Sequence, residues 1–209
     1  MNNFIFENKT KVYFGKGGVK EYLGCLLKKY GKTVMLAYGG GSIKHNGVYD
    51  EVTGILNAAG KTVVEFSGIM PNPTYAKVQE GAKLAREKGV DLILAVGGGS
   101  VMDCAKIIGA RIAKPRQSVQ HMGGLLRILR KTPMLIAVPT TAGTGSETTL
   151  AAVITDPAAR HKYPINDFVL IPDYAVLEPE LTRGLPRGLT ATTGMDALTH
   201  AVEAYISKD

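Results

Sequence analysis

The chain has 209 residues, enough for one large domain or for one domain and part of another. Its 45% hydrophobic and 21% charged content provides for a buried core and excludes an intrinsically disordered chain. The net charge of +7 suits an anionic small molecule as well as nucleic acid, but the densest basic run, 127–131 with Lys114 and Arg116 upstream, lacks interleaved aromatics, so no nucleic-acid partner is expected. Cys25 and Cys104 are not marked as a pair, no secretory segment is evident and no apolar run is long enough for a membrane. The expected setting is therefore a reducing cytoplasm, with no membrane partner.

Residues 4–6 and 11–14 predict two short strands around a turn, a hairpin whose edge could pair with a second copy in a homodimer. An amphipathic helix is expected over 19–30, then a buried strand over 33–38 that runs into Gly39-Gly40-Gly41-Ser42. A helix over 49–59, stopped by Gly60, leads to a strand over 62–66. Thr74 is placed to cap a helix over 75–88, which Gly89 ends. The next strand, 91–96, runs directly into Gly97-Gly98-Gly99-Ser100 and a helix to about Ala113. After an irregular basic segment come a strand over 134–138, a Thr- and Gly-rich loop over 139–147, a strand over 150–155, and short strand candidates over 168–171 and 174–177.

Strands alternating with helices predict a mainly parallel α/β sheet. Near Leu185-Pro186-Arg187-Gly188 helical signals take over. A domain boundary is expected there, with an α/β domain over 1–186 and, over 187–209, a helical stretch too short to be a domain.

In open α/β sheets, ligands bind outside the carboxyl ends of the strands, where glycine admits phosphate to backbone N–H groups and the next helix offers its positive end. The loop from Gly97 is best placed for a pyrophosphate, although it is not G-x-G-x-x-G; Ser100 and Asp103 also read as a capping box at the same helix end. The loop Gly39-Gly40-Gly41-Ser42-Ile43-Lys44 carries no acid for a ribose 2′-hydroxyl but has Ser42 and Lys44, which argues for NADP over NAD. A simple glycine turn is the other reading. The loop Pro139-Thr140-Thr141-Ala142-Gly143-Thr144-Gly145-Ser146-Glu147 offers hydroxyls and N–H groups to the same ligand, or is an ordinary Thr-rich turn. Further on, Asp196 and His200 stand four residues apart on a predicted helix, so both side chains can reach one divalent ion.

Together, Gly97 to Ser100 with Asp103 and Lys106, Pro139 to Glu147, and Gly188-Leu189-Thr190 through Thr193-Gly194-Met195-Asp196-Ala197-Leu198-Thr199-His200-Ala201-Val202-Glu203 resemble the iron-containing (group III) alcohol dehydrogenase family. The stretch from Tyr38 to Lys44, with Asn46-Gly47, is similar to its NADPH-dependent butanol dehydrogenase branch; other branches often carry an Asp near position 39. The resemblance implies a dehydroquinate synthase-like, Rossmann-like fold and hydride transfer between NADP(H), with NAD(H) as the alternative, and a primary alcohol or aldehyde. It assigns Gly98, Gly99 and Ser100 to the pyrophosphate and places Gly39, Gly40 and Ser42 at the adenosine end. Thr140, Thr141, Thr144 and Thr149 would line the cofactor with Asn72 nearby, and Lys162 and Leu181 would meet its ribose or nicotinamide end. Asp196 and His200 match two ligands of a metal, Fe²⁺ or Zn²⁺, that polarises the alcohol oxygen. The family's two further histidine ligands have no match here, and His45, His121 and His161 lie outside its motifs. The resemblance thus implies an α/β dinucleotide-binding domain over 1–186 and, over 187–209, the start of an all-helical metal-binding domain that is cut short: the cofactor half of a dehydrogenase with half of its metal site. The rivals are a polyol (glycerol-type) dehydrogenase or dehydroquinate synthase on the same fold, an inactive dinucleotide-binding module, and a basic nucleic-acid binder.

Overall fold

The computed structural model describes residue 5 and residues 7–207. In chain order the elements are β1 (Lys11–Phe14), α1 (Gly24–Lys29), β2 (Thr33–Tyr38), α2 (Ser42–His45), α3 (Val48–Ala58), β3 (Thr62–Phe66), α4 (Tyr75–Glu87), β4 (Leu92–Gly97), α5 (Gly99–Ala113), β5 (Gly124–Leu125), β6 (Met134–Pro139), β7 (Ala151–Asp156), β8 (His161–Asn166), β9 (Tyr174–Leu177) and α6 (Arg187–Ile206). Six strands form a sheet in the order β1-β9-β6-β4-β2-β3, every pairing parallel. This is the parallel α/β fold that the alternation predicted.

The central strands are apolar on both faces because helices cover both. Val34, Leu36 and Tyr38 of β2, with Leu92, Leu94 and Val96 of β4, pack with Leu27, Val52 and Leu56 of α1 and α3. The intervening Met35, Ala37, Ile93 and Ala95 join Val78, Ala85, Cys104, Ile107 and Ile108 of α4 and α5 on the opposite face. Each such Val, Leu, Ile or Met side chain contributes about 1.5–3 kcal/mol when fully buried, so the two-sided core fixes β2 and β4 where their loops emerge. Chain order reverses direction between β2 and β4: α3 carries the chain from β2 outward to β3, whereas α4 returns it to β4 and α5 leads on toward β6. This switch point opens a crevice at the carboxyl edge.

Several expectations need correction. Among the described residues β1 is no hairpin arm; it pairs in parallel with β9, while the other proposed arm, apart from the exposed, non-strand Ile5, lies outside the described residues. The helix expected over 19–30 starts as a π-helical turn, Val19–Leu23, before α1. Residues 168–171 are no strand: Asp167 accepts a hydrogen bond from the Val169 N–H and starts a 3₁₀ turn, Phe168–Leu170. Strand β8, hidden by His161-Lys162 and Pro164, pairs antiparallel with β7, and with β5 they make a second, three-stranded sheet beside α5. Helix α6 has no buried residue. No helix of the described residues is long and apolar enough to cross a membrane.

Candidate functional site

Because the sheet is parallel, the loops after β2, β4 and β6 emerge along one edge. The Thr140 N–H donates to the Gly97 carbonyl at 2.9 Å, which ties the β6 loop to the end of β4. Gly98 is extended (φ −84°, ψ −175°) and starts α5 with no side-chain cap. The capping-box reading of Ser100 and Asp103 is therefore wrong; both side chains are engaged elsewhere. Ser100 Oγ accepts from the N–H of Asn72, a left-handed residue at φ 54°, at 3.3 Å. A Cβ on Gly98 would lie 3.1 Å from Thr141 Oγ1, and one on Gly99 would lie 3.0 Å from Thr144 Cγ2. The two loops thus fit together only because these positions lack side chains. Thr141 Oγ1 is buried here without a hydrogen-bond partner among the described residues, an orphan hydroxyl beside a helix N-terminus. That is a donor set for an anion.

Behind this cradle lies a polar network that the reading of single loops missed. Lys106, 1% exposed on α5, donates from Nζ to Ser146 Oγ (3.1 Å), Thr149 O (2.9 Å), Thr149 Oγ1 (3.2 Å) and Ala151 O (2.8 Å). Asp103, one turn earlier, accepts from the Ser146 hydroxyl at 2.7 Å and the Val153 N–H at 3.0 Å. Burial pulls the lysine down to about 8, against the attraction of Asp103 and Glu147. Burial likewise raises the Asp103 carboxyl, opposed by its hydrogen bonds from Val153 and Ser146 and by the Lys106 charge. Thr149 is accordingly committed to Lys106. The signal in the sequence was the i, i+3 spacing of Asp103 and Lys106, which puts both on one helix face.

At the end of β2 a cleft of about 220 Å³ is lined by Tyr38, Gly39, Gly40, Gly41, Lys44, Ser67 and Gly68. Gly41 has φ 111°, a conformation L side chains rarely adopt, and lets the chain turn from β2 into α2, which Ser42 begins. The Lys44 ammonium sits 4.5 Å from the Tyr49 ring centroid and 5.4 Å from that of Tyr38. Glu65 of β3 accepts from both phenols, at 2.8 Å from Tyr38 and 2.5 Å from Tyr49. These bonds hold the Glu65 carboxyl below its ordinary range, while its bond to Tyr49 pushes that phenol up to about 12. Glu65, hidden in a strand pattern, was not foreseen; β2–β3 pairing brings it here.

The remaining candidates are spread further. Leu181 lies in the 3₁₀ turn Pro179–Thr182 that follows β9, half-buried against the apolar cluster of Tyr38 and Val138. Lys162 is exposed on β8 in the second sheet, opposite Thr155. Asp196 and His200 do stand one turn apart on α6, with Oδ1 and Nε2 3.8 Å from each other and both side chains about half exposed. A Cβ on Gly143 would collide with the Thr193 carbonyl, so the Thr-rich loop abuts α6 one turn before this pair. Among the described residues no three His, Cys, Asp or Glu side chains converge on a metal position. Two donors fall short of the three or more that a catalytic metal centre keeps; the pair alone is not such a centre.

A parallel sheet with glycine loops on its carboxyl edge, at a topological switch point, belongs to the Rossmann-like α/β class. The model of the iron-containing alcohol dehydrogenase family matches residues 9–179. This chain belongs to that family. It is 43% identical to the probable NADH-dependent butanol dehydrogenase 2 of Bacillus subtilis, over 98% of this chain and 52% of the relative. It is 41% identical to the NADPH-dependent butanol dehydrogenase of Clostridium saccharobutylicum, over 94% of this chain and 50% of the relative. The crystal structure of NADH-dependent butanol dehydrogenase A from Thermotoga maritima is similar with a TM-score of 0.92 at 37% identity, over 99% of this chain and 52% of that one. The chain spans about half the length of the relatives it matches.

Proposed function

We propose that this chain is the nucleotide-binding part of an NADP(H)-dependent alcohol or aldehyde oxidoreductase, residues 1–186 forming the binding unit. The observation that carries this is the interlocking of Gly98 and Gly99 with Thr141 and Thr144 at the N-terminus of α5. A pyrophosphate there would meet the helix's positive end, Ser100 held by Asn72, and the orphan hydroxyl of Thr141. Thr140 and Thr144 shape the same wall, while Thr149 serves from behind through Lys106. The adenosine end runs to the cleft of Gly39 and Gly40, where Ser42 and Lys44 would take a 2′-phosphate; no acidic side chain at position 39 opposes it. NADH- and NADPH-dependent relatives both match the chain, and it is this cleft that favours NADP(H). Leu181 would support the nicotinamide end and Lys162 would reach its ribose.

When bound, the nicotinamide supplies hydride chemistry and Fe²⁺ or Zn²⁺ polarises the alcohol oxygen. Asp196 and His200 offer two donors toward that metal. What the described residues themselves do is bind the dinucleotide and orient it. The outer edge of β1, unpaired among the described residues, is where a second copy would add, which sedimentation would test.

Titration of the purified chain with NADPH and NADH, followed by the fluorescence of the reduced nicotinamide, tests the reading. Saturable binding that favours NADPH is expected. A folded chain by circular dichroism that binds neither would refute it.

A further inference from the structure

Resting on that reading, we propose that Lys106 and Asp103 are positioning residues: together they form a buried latch that holds the Thr140–Ala151 segment against α5 and so sets the width of the pyrophosphate cradle. All four acceptor atoms around the three N–H groups of Lys106 Nζ belong to one segment, at Ser146, Thr149 and Ala151. A fully buried ammonium is costly and persists only where its hydrogen bonds are satisfied; here its acceptors include two backbone carbonyls, so the charge fixes main chain rather than a mobile side chain. Asp103 completes the pull by accepting from the Ser146 hydroxyl and from the backbone N–H of Val153. The Ser146 N–H in turn donates to Thr144 Oγ1 at 3.3 Å, and Thr144 is the side chain packed where a Cβ of Gly99 would stand. A continuous path therefore runs from the ammonium through Ser146 and Thr144 to the cradle. Neither Lys106 nor Asp103 needs to touch the nucleotide, and Lys106, at 1% exposure, is walled off from it.

The latch separates two parts of the ligand. ADP-ribose depends on the cradle, whereas 2′-AMP depends on the cleft at Gly39–Lys44, which lies on the far side of β4's neighbour β2. Isothermal titration of the wild type and of Lys106→Met with each ligand reads the difference. The expected result is an ADP-ribose Kd raised by about tenfold or more, with the 2′-AMP Kd within about twofold of wild type. If Lys106→Met does not fold, Ser146→Ala, which removes the hydroxyl shared by both latch residues, gives the same reading. Unchanged ADP-ribose affinity in the folded variant, or equal loss of both ligands, would overturn the latch. Failure of the wild type to bind either ligand would instead overturn the nucleotide reading on which it rests.

Discussion

On the proposed function, Gly39→Asp should shift cofactor binding from NADP(H) toward NAD(H). The site has room: a Cβ at Gly39 would lie 3.4 Å from the Ile69 carbonyl oxygen and 3.8 Å from Val101 Cγ2, both ordinary contacts. A carboxylate placed in the cleft would face a 2′-phosphate carrying roughly −1.5 to −2 charges. At about 5 Å, with an effective dielectric between about 40 and 80, the repulsion is about 1–3 kcal/mol. A hydrogen bond from the 2′-hydroxyl of NADH to the same carboxylate adds about 1 kcal/mol in the other direction. The ratio of the two affinities should therefore move by about 2–4 kcal/mol, or roughly 30- to 1,000-fold, toward NADH. Fluorescence titration of both variants with both reduced cofactors measures it, and the shift should shrink with added salt because the cleft is open to solvent. A ratio that does not move would show that the 2′-phosphate does not bind beside Gly39.

Three other outcomes follow from the geometry. Gly99→Val should abolish nucleotide binding while leaving the far-ultraviolet circular dichroism unchanged, because even its Cβ would be 3.0 Å from Thr144 Cγ2 in the cradle; retained binding would place the ligand elsewhere. Asp167→Ala should lower stability by about 3 kcal/mol, since the fully buried carboxylate accepts from the N–H groups of Ile128, Leu129 and Val169; urea denaturation reads the change. The lysine latch should show in the pH dependence of stability. Lys106 titrates at about 8 when folded and near 10.5 when unfolded, so between those values the unfolded chain binds the extra proton and raising the pH favours the fold, by up to roughly 3 kcal/mol; Lys106→Met should lack this rise in guanidinium midpoints compared at pH 7.5 and 10.

Much of the fold was legible because the buried strands carry their own signature. Thr33–Tyr38, Thr62–Phe66 and Tyr174–Leu177 coincide with their predicted bounds, and Gly60 and Gly89 end their helices with φ of +66° and +65°. These features rest on local periodicity and local backbone preference, which the chain carries residue by residue. The glycine loops were found for the same reason, as was the one-turn spacing of Asp196 and His200. Strand β8 was hidden because its partners, not its own residues, make it a strand: Pro164 and two basic side chains are tolerated opposite β7. Residues 168–171 carry a strand pattern, but the buried Asp167 claims the backbone N–H of Val169 and starts a 3₁₀ turn instead. The assignment of Ser100 and Asp103 to a cap failed in the same way, since Asn72 and Ser146 lie 28 and 43 residues away along the chain. Sequence alone determined most elements of the six-stranded sheet and the chemistry available at their ends. Only the tertiary structure decided which of those groups meet, because hydrogen bonds between distant segments depend on sheet order and helix packing, which local patterns do not encode.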